Sequence, residues 1–139
     1  QRQMCIRDRL IAETENVDKK SLFIIEAAAL THDIGIHFCE EKYGNCNGRL
    51  QEQEGPAIAE RLLKKLGFDQ EVSDRVQYLI AHHHTYNDID AMDYQILVEA
   101  DFLVNIMEDS LTKEAALKAY HNIFKTACGK TICREMFDI

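Results

Sequence analysis

The sequence predicts an all-α chain, a helical bundle of about six helices, on three observations. Apolar residues recur at helical spacing almost throughout, and no segment alternates as a strand would. The 139 residues include one proline and six glycines, too few turn formers for an all-β fold. At 46% hydrophobic and 29% charged, the composition is that of one globular domain. A chain of this length buries roughly two-thirds of its unfolded surface, enough for a core without disulfide staples.

The elements follow in order. Ile11 to about Asn16 reads as the end of a first helix. Asp18 is placed to cap a second, over about Lys19 to His32. That helix is apolar on most sides (Leu22, Ile24, Ile25, Ala27, Ala28, Ala29), so it is expected to be central and buried. Gly35 then lets the chain turn. Residues 36–53 are polar, with Gly44, Asn45, Asn47 and Gly48 as turn formers, and are expected to form a long irregular loop. Pro56 suits the first turn of a third helix that stops at Gly67. Asp69 is placed to cap a fourth helix reaching His82 to His84. After a connector over 85–92, a fifth helix covers roughly Asp93 to Met107. Ser110 or Thr112 caps a sixth, to about Thr126, and a short terminal helix follows from Gly129.

The start of the chain has its own reading. Met4-Cys5-Ile6-Arg7-Asp8-Arg9 looks like a translated sequencing-adapter end. Residues 1–9 are therefore expected to be non-native, leaving 10–139 as a single domain that lacks part of its first helix. Five cysteines (Cys5, Cys39, Cys46, Cys128, Cys133) form no CxxC pair and are expected as reduced thiols of a cytoplasmic protein. The best apolar stretch, Leu22 to Leu30, is interrupted by Glu26 and falls short of the ~18 residues of a membrane span. Sixteen basic against 24 acidic residues give a charge of -8, which repels nucleic-acid backbones and anionic lipid surfaces. A small phosphorylated substrate stays compatible, because a bound metal reverses the sign locally. The oligomeric state is not readable.

Three features carry potential chemistry. His32-Asp33 stands where the most apolar helix ends, and an imidazole and carboxylate buried there need pairing or a metal. A capping aspartate beside a helix-end histidine is the plain alternative. In the fourth helix Val72, Val76, Leu79 and Ile80 define the inward face, and His83 falls within ~20° of Val72. His82 and His84 flank it; a surface histidine run is the alternative. In the fifth, Ile96, Leu97, Ala100, Leu103, Val104 and Met107 form the apolar stripe. Asp101 lies only ~40° from Leu97, where a carboxylate needs a partner and a buried salt bridge would serve. Helix bundles build metal sites from inward side chains of this kind, and imidazole with carboxylate suits Mn, Fe, Co, Ni, Zn or Mg. His37, Cys39 and Cys46 match no structural-zinc spacing.

Ala27-Ala28-Ala29-Leu30-Thr31-His32-Asp33-Ile34-Gly35 resembles the signature of the HD-domain metal-dependent phosphohydrolases. Val98-Glu99-Ala100-Asp101-Phe102-Leu103-Val104 resembles their downstream aspartate segment, and the likeness spans about Ile11 to Phe137. The resemblance implies an all-helical fold in which His32, Asp33 and Asp101 bind a divalent metal. It also implies hydrolysis of a phosphate ester, of a nucleotide or a related small molecule, through metal-activated water. On this reading Asp33, His82 and His83 are the catalytic candidates. His82, His83 and Glu54 are candidate second-metal ligands, and Lys42, Arg49 and His84 candidate substrate contacts.

The sequence departs from the family pattern in three places. No histidine precedes His32, so the family's upstream metal-binding histidine is absent from this chain. Members with two metals, the HD-GYP phosphodiesterases among them, carry a His-Pro and then a histidine pair. His82-His83 matches the pair, with Tyr86 in a similar following position, whereas Gly55-Pro56 stands in place of the His-Pro. Ile36 stands where many HD-GYP members have a lysine, which points away from a cyclic dinucleotide. Two other functions stay open: an inactive ligand-binding or regulatory HD domain, and a two-iron oxygenase on the same scaffold.

Overall fold

The computed structural model describes the backbone of residues 2–109 and 112–139, and the side chains of residues 7, 9–105 and 112–139. It is all-α, with eight helices and no strand among the described residues. They are α1 (Arg2–Thr14), α2 (Lys19–Thr31), α3 (Ile36–Tyr43), α4 (Gly48–Lys65), α5 (Gln70–His82), α6 (Met92–Asp109), α7 (Lys113–Asn122) and α8 (Ala127–Phe137). The adapter reading of residues 1–9 rests on side chains that, apart from Arg7 and Arg9, lie outside the described residues, as do Met107 and the capping role of Ser110.

Caps set most of the helix starts. Asp18 Oδ1 accepts the Ser21 amide at 2.8 Å and opens α2. Thr112 receives the Ala115 amide at 3.2 Å and opens α7. Asp69 stands at the N-cap of α5 without a side-chain bond, so α5 begins on backbone geometry and packing.

Residues 36–53 are not a loop. The turn formers act only over 44–48: Gly44, in the left-handed region at φ 74°, stops α3, and Asn47 Oδ1 accepts the Leu50 amide at 2.9 Å to start α4. Helix α4 therefore begins eight residues before Pro56, which sits in its interior and forgoes the bond to the Glu52 carbonyl. Packing offsets that loss, since α4 lies along α5 in the most extensive helix contact of the fold. Gly67, at φ 81°, ends α4 as expected.

Helix α7 stops at Asn122, and Thr126 belongs to the next element. Its hydroxyl caps α8 by accepting the Gly129 amide at 2.9 Å. The buried Glu99 carboxyl dictates this break. It accepts the Lys125 and Thr126 amides at 3.1 Å each, and the Thr126 hydroxyl at 2.6 Å. Helix continuation through 125–126 would spend those amides on the preceding turn instead.

Helix α6 shares the centre of the fold with α2. Residues Asp93 to Asp101 of α6 are all buried, and α6 packs against α1, α2 and α8. Helix α2 buries Ile24, Ile25 and Ala27 to Ala29, yet Phe23 and Leu30 are 48% and 59% exposed, because α1, α5 and α6 cover only one side of it. By length and mean hydropathy, the helical stretch Lys19–Tyr43 meets the measure of a membrane-crossing segment, although no uninterrupted apolar run does. Half of the most apolar 18-residue window within it is buried inside this fold, and the turn at 32–35 divides the stretch into α2 and α3.

Gly35 serves packing, not an unusual turn: its φ is -82°. A Cβ there would meet the Gly55 amide nitrogen at 3.1 Å and its Cα at 3.2 Å. A Cβ on Gly55 would in turn fall 2.7 Å from Ile80 Cγ2. The two glycines thus let the turn after α2 meet α4 backbone to backbone, and let α4 close on the Ile80 side chain of α5. Gly55→Ala should lower unfolding stability by about 1–3 kcal/mol in urea titrations, since the added methyl overpacks against Ile80. A neutral effect would mean that α4 and α5 are free to separate.

Candidate functional site

Where α2 ends, its last turn donates the His32 amide to the Ala28 carbonyl at 2.7 Å. The side chain follows the same direction, and His32 Nδ1–H donates to the Ala29 carbonyl at 2.9 Å. That bond fixes the ring and aims Nε2 at two carboxylates. Asp33 Oδ2 lies 3.0 Å from Nε2, and Asp101 Oδ1, arriving from α6, lies 3.3 Å away. His32 and Asp101 are buried, while the Asp33 side chain is 33% exposed and forms the solvent edge of the cluster. The inward phase of Asp101, next to a stripe whose Ile96, Leu97, Ala100 and Leu103 are fully buried, makes the meeting possible.

Helix α5 brings the second part. His83 caps it, buried, with Nδ1 donating to the Ile80 carbonyl at 2.6 Å and its ring edge-on to His32 at 5.3 Å between centroids. His84 packs over Gly48, where a Cβ would fall 2.8 Å from the ring. Gln51 of α4 joins the two: His84 Nε2 donates to Gln51 Oε1 at 3.1 Å, and His83 Nε2 lies 3.4 Å from the same oxygen. The Gln51 amide also reaches the Cys46 carbonyl at 3.4 Å.

The remaining candidates go elsewhere. His82 turns back on its own helix, with Nδ1 donating to the Tyr78 carbonyl at 2.7 Å and its ring stacked on Tyr78 at 4.2 Å. Glu54 accepts the Tyr43 hydroxyl at 2.6 Å and lies 3.9 Å from Lys42 Nζ, which itself stands over the Phe38 and Tyr43 rings. Arg49 is exposed at the start of α4. His37 pairs with Glu41 at 3.1 Å, and Cys39 Sγ donates to the Leu50 carbonyl at 3.5 Å. The structure therefore gathers His32, Asp33, Asp101, His83 and His84, and leaves His82, Glu54, Lys42 and Arg49 bound or exposed outside that cluster.

Gln51 escapes a reading of 36–53 as a loop. As part of α4 it starts the row Gln51, Gly55, Ala59, Leu63, whose last three members are buried at helical spacing. That row was the signal that would have found it. Tyr86 is a second addition, close enough to Asp101 to feel its charge: burial first, then Asp101 and Glu52, raise its phenol above the ordinary value.

Two buried acids on α6 clarify what the site is. Glu99 is satisfied completely by protein donors, namely the Gln95 amide, two backbone amides and the Thr126 hydroxyl. Asp101, two residues on, finds only His32 among the described residues. Glu99 is a structural acid; Asp101 keeps acceptor capacity for something else.

The electrostatics follow from these contacts. Burial alone would strip His32 of its proton, but the bonds and charges of Asp101 and Asp33 outweigh it and push the pKa up to about 10. Burial works against the Asp33 charge as well, and the contact with His32 overrides it, holding Asp33 below the usual carboxylate range. His83 goes the other way: burial, then the His84 and His32 charges, bring it down to about 4.

The donors suit a small divalent cation. An imidazole whose Nδ1 is tied to a carbonyl presents Nε2 as metal-ligating histidines do. The 3.0 and 3.3 Å separations are hydrogen-bond distances from a protonated Nε2 to two carboxylates, and an ion held there would take the place of that proton. Among the described residues no group of three or more His, Cys, Asp or Glu side chains stands ready-made around a metal position, so the fit rests on donor type.

Linkage sets opposite pH dependences for the two imidazoles. The His32 pKa rises from 6.5 to about 10 on folding, so its stabilisation is complete below about pH 6.5 and is lost as pH climbs toward 10. The His83 pKa falls from 6.5 to about 4, so its contribution is complete above about pH 6.5 and is lost as pH drops toward 4. Histidine NMR titration of chelator-treated protein should show one ring protonated beyond pH 9 and one neutral at pH 5. Two rings titrating together near 6.5 would contradict the geometry.

Comparison with protein-family models, with curated proteins and with solved structures finds no match to this chain.

Proposed function

We propose that this chain is a metal-dependent phosphohydrolase of the HD type, acting on the phosphate ester of a nucleotide or related small molecule. The convergence of His32, Asp33 and Asp101 from two helices onto one imidazole nitrogen carries the reading. Those three side chains would hold the ion. When bound, it supplies a Lewis acid for a phosphoryl oxygen and lowers the pKa of a water.

The reaction adds the oxygen of one water to phosphorus, breaks the bond from phosphorus to the ester oxygen, and leaves a proton on the released alcohol. Asp33 is the residue placed to meet that water. It is the exposed member of the cluster, and its contact with His32 keeps it a hydrogen-bond acceptor. His32 and Asp101 are buried and fixed, so they orient without moving. His84, bonded to Gln51, and His83 beside it wall the site on the α5 side, and His83 remains neutral near pH 7 because of its burial. His82 takes no part in this arrangement, since its ring is stacked on Tyr78.

A second reading, a ligand-binding domain with an incomplete site, draws support from the count of three donors and from the placement of Glu54 and His82 away from them. The oxygenase reading needs a further histidine at the Gly55 position, where a Cβ already meets Ile80 at 2.7 Å. Phosphate release from a panel of nucleotides and phosphoesters, with Mn²⁺ or Co²⁺ added to chelator-treated protein, separates the readings. His32→Ala and Asp101→Ala should each lower kcat/KM by about a hundredfold or more and weaken metal binding in calorimetry. A metal-loaded protein inert across the panel would favour the binding module, and oxygen-dependent turnover with iron would favour the oxygenase.

A further inference from the structure

Helix α3 buries a single residue, Cys39, and the short turn that follows the helix carries Cys46. Two contacts bring both cysteines against the first turn of α4. Cys39 Sγ donates to the Leu50 carbonyl at 3.5 Å, and the Gln51 side-chain amide donates to the Cys46 carbonyl at 3.4 Å. Gly44, at φ 74°, reverses the chain between them. As a result the two thiols meet, and the Cys46 thiol is hydrogen-bonded to that of Cys39. Both are free thiols. They differ in access, since Cys39 is fully buried and Cys46 is half-buried in an otherwise exposed turn. Cys128 and Cys133, five residues apart on α8, fall ~140° apart around that helix and do not face each other.

We infer that Cys39 and Cys46 are a redox pair, closing to an intramolecular disulfide by exchange with a glutathione-type disulfide, and that Gln51 relays the closure to His84. Cys46, the accessible member, attacks as its thiolate. The S–S bond of the small disulfide breaks, and one small thiol leaves carrying the Cys46 proton. Cys39 then attacks the Cys46 sulfur, the mixed disulfide breaks, and the second small thiol leaves with the Cys39 proton. The protein is thereby oxidised by two electrons and the small disulfide reduced by two. A disulfide of ~2.05 Å requires the sulfurs to close beyond their hydrogen bond. The 44–47 turn is the part free to follow, because Cys39 is held against α4. Burial, and then the Cys39 thiol, push the Cys46 thiol up to about 11, so ionisation of Cys46 does not stabilise the reduced pair near neutral pH. Gln51 stands between the pair and the His–Asp cluster. Its amide holds the Cys46 carbonyl, and its own carbonyl receives the His84 Nε2–H at 3.1 Å. The pair does not depend on the hydrolase reading.

The test treats the full chain with oxidised glutathione, alkylates the remaining thiols and digests with trypsin. Cleavage after Lys42 separates peptide 21–42, with Cys39, from peptide 43–49, with Cys46. In mass spectrometry the two peptides should run as one species, lighter by two hydrogens than their sum, and should separate after dithiothreitol. Cys39→Ala should stop at glutathione on Cys46, whereas Cys46→Ser should leave Cys39 unmodified because it is buried. In NMR spectra, oxidation should shift the His84 ring signals and leave those of His121, on α7, in place. Separate peptides, with both cysteines alkylated or each carrying glutathione, overturn the pair, as does glutathione on Cys39 in the Cys46→Ser protein. A disulfide that forms with the His84 signals unmoved overturns the relay. Both readouts stand whether or not the protein turns over an ester.

Discussion

Much of the molecule is arranged so that one buried imidazole can sit between two carboxylates. His32 is held from behind by the Ala29 carbonyl and faces Asp33 and Asp101 with its other nitrogen. Such a group is costly to bury, and only partners within hydrogen-bond reach make it tolerable. That requirement fixes where α2 must stop, because its last turn supplies both the ring and its backbone anchor. It also fixes the rotation of α6, because Asp101 has to point at α2 while its apolar neighbours enter the core.

The same constraint reaches the outer helices through close backbone approach. The turn that carries Asp33 ends at Gly35, which rests on Gly55, and Gly55 rests on Ile80 of α5. Larger residues at either glycine would lift α4 and α5 away and carry His83, His84 and Gln51 off the cluster. The contrast with Glu99 shows that burial of an acid need not signify chemistry. Glu99 spends its oxygens on Gln95 and on the start of α8, and so organises the chain's last turn. Asp101 has one partner, His32, among the described residues. Position on the same helix did not separate these roles; saturation of hydrogen bonding did.

Several pieces were legible in the sequence for definite physical reasons. Asp18, Thr112 and Gly67 act by local chemistry, a side-chain oxygen on an amide or a positive φ, and local chemistry is what a linear chain displays. The inward phase of His83 and Asp101 followed from helical period. In 36–53 polarity does not mean irregularity: α3 and α4 are amphipathic, and their polar residues outnumber a small buried row. His82 and Glu54 lie apart from the cluster because spacing places a backbone, whereas Tyr78 and Tyr43 engage those side chains through contacts that spacing does not reveal.

By itself, then, the sequence determined the helical class, most helix ends, and the three side chains, His32, Asp33 and Asp101, that the fold brings together. These depend on periodicity and on residue chemistry, both present in one dimension. Only the tertiary structure decided that Gln51 adjoins His84 and that α6 is buried without a break from Asp93 to Asp101. Each of those outcomes depends on which helix lies against which, and it is packing across the fold that brings residues as distant as Asp33 and Asp101 to the same imidazole nitrogen.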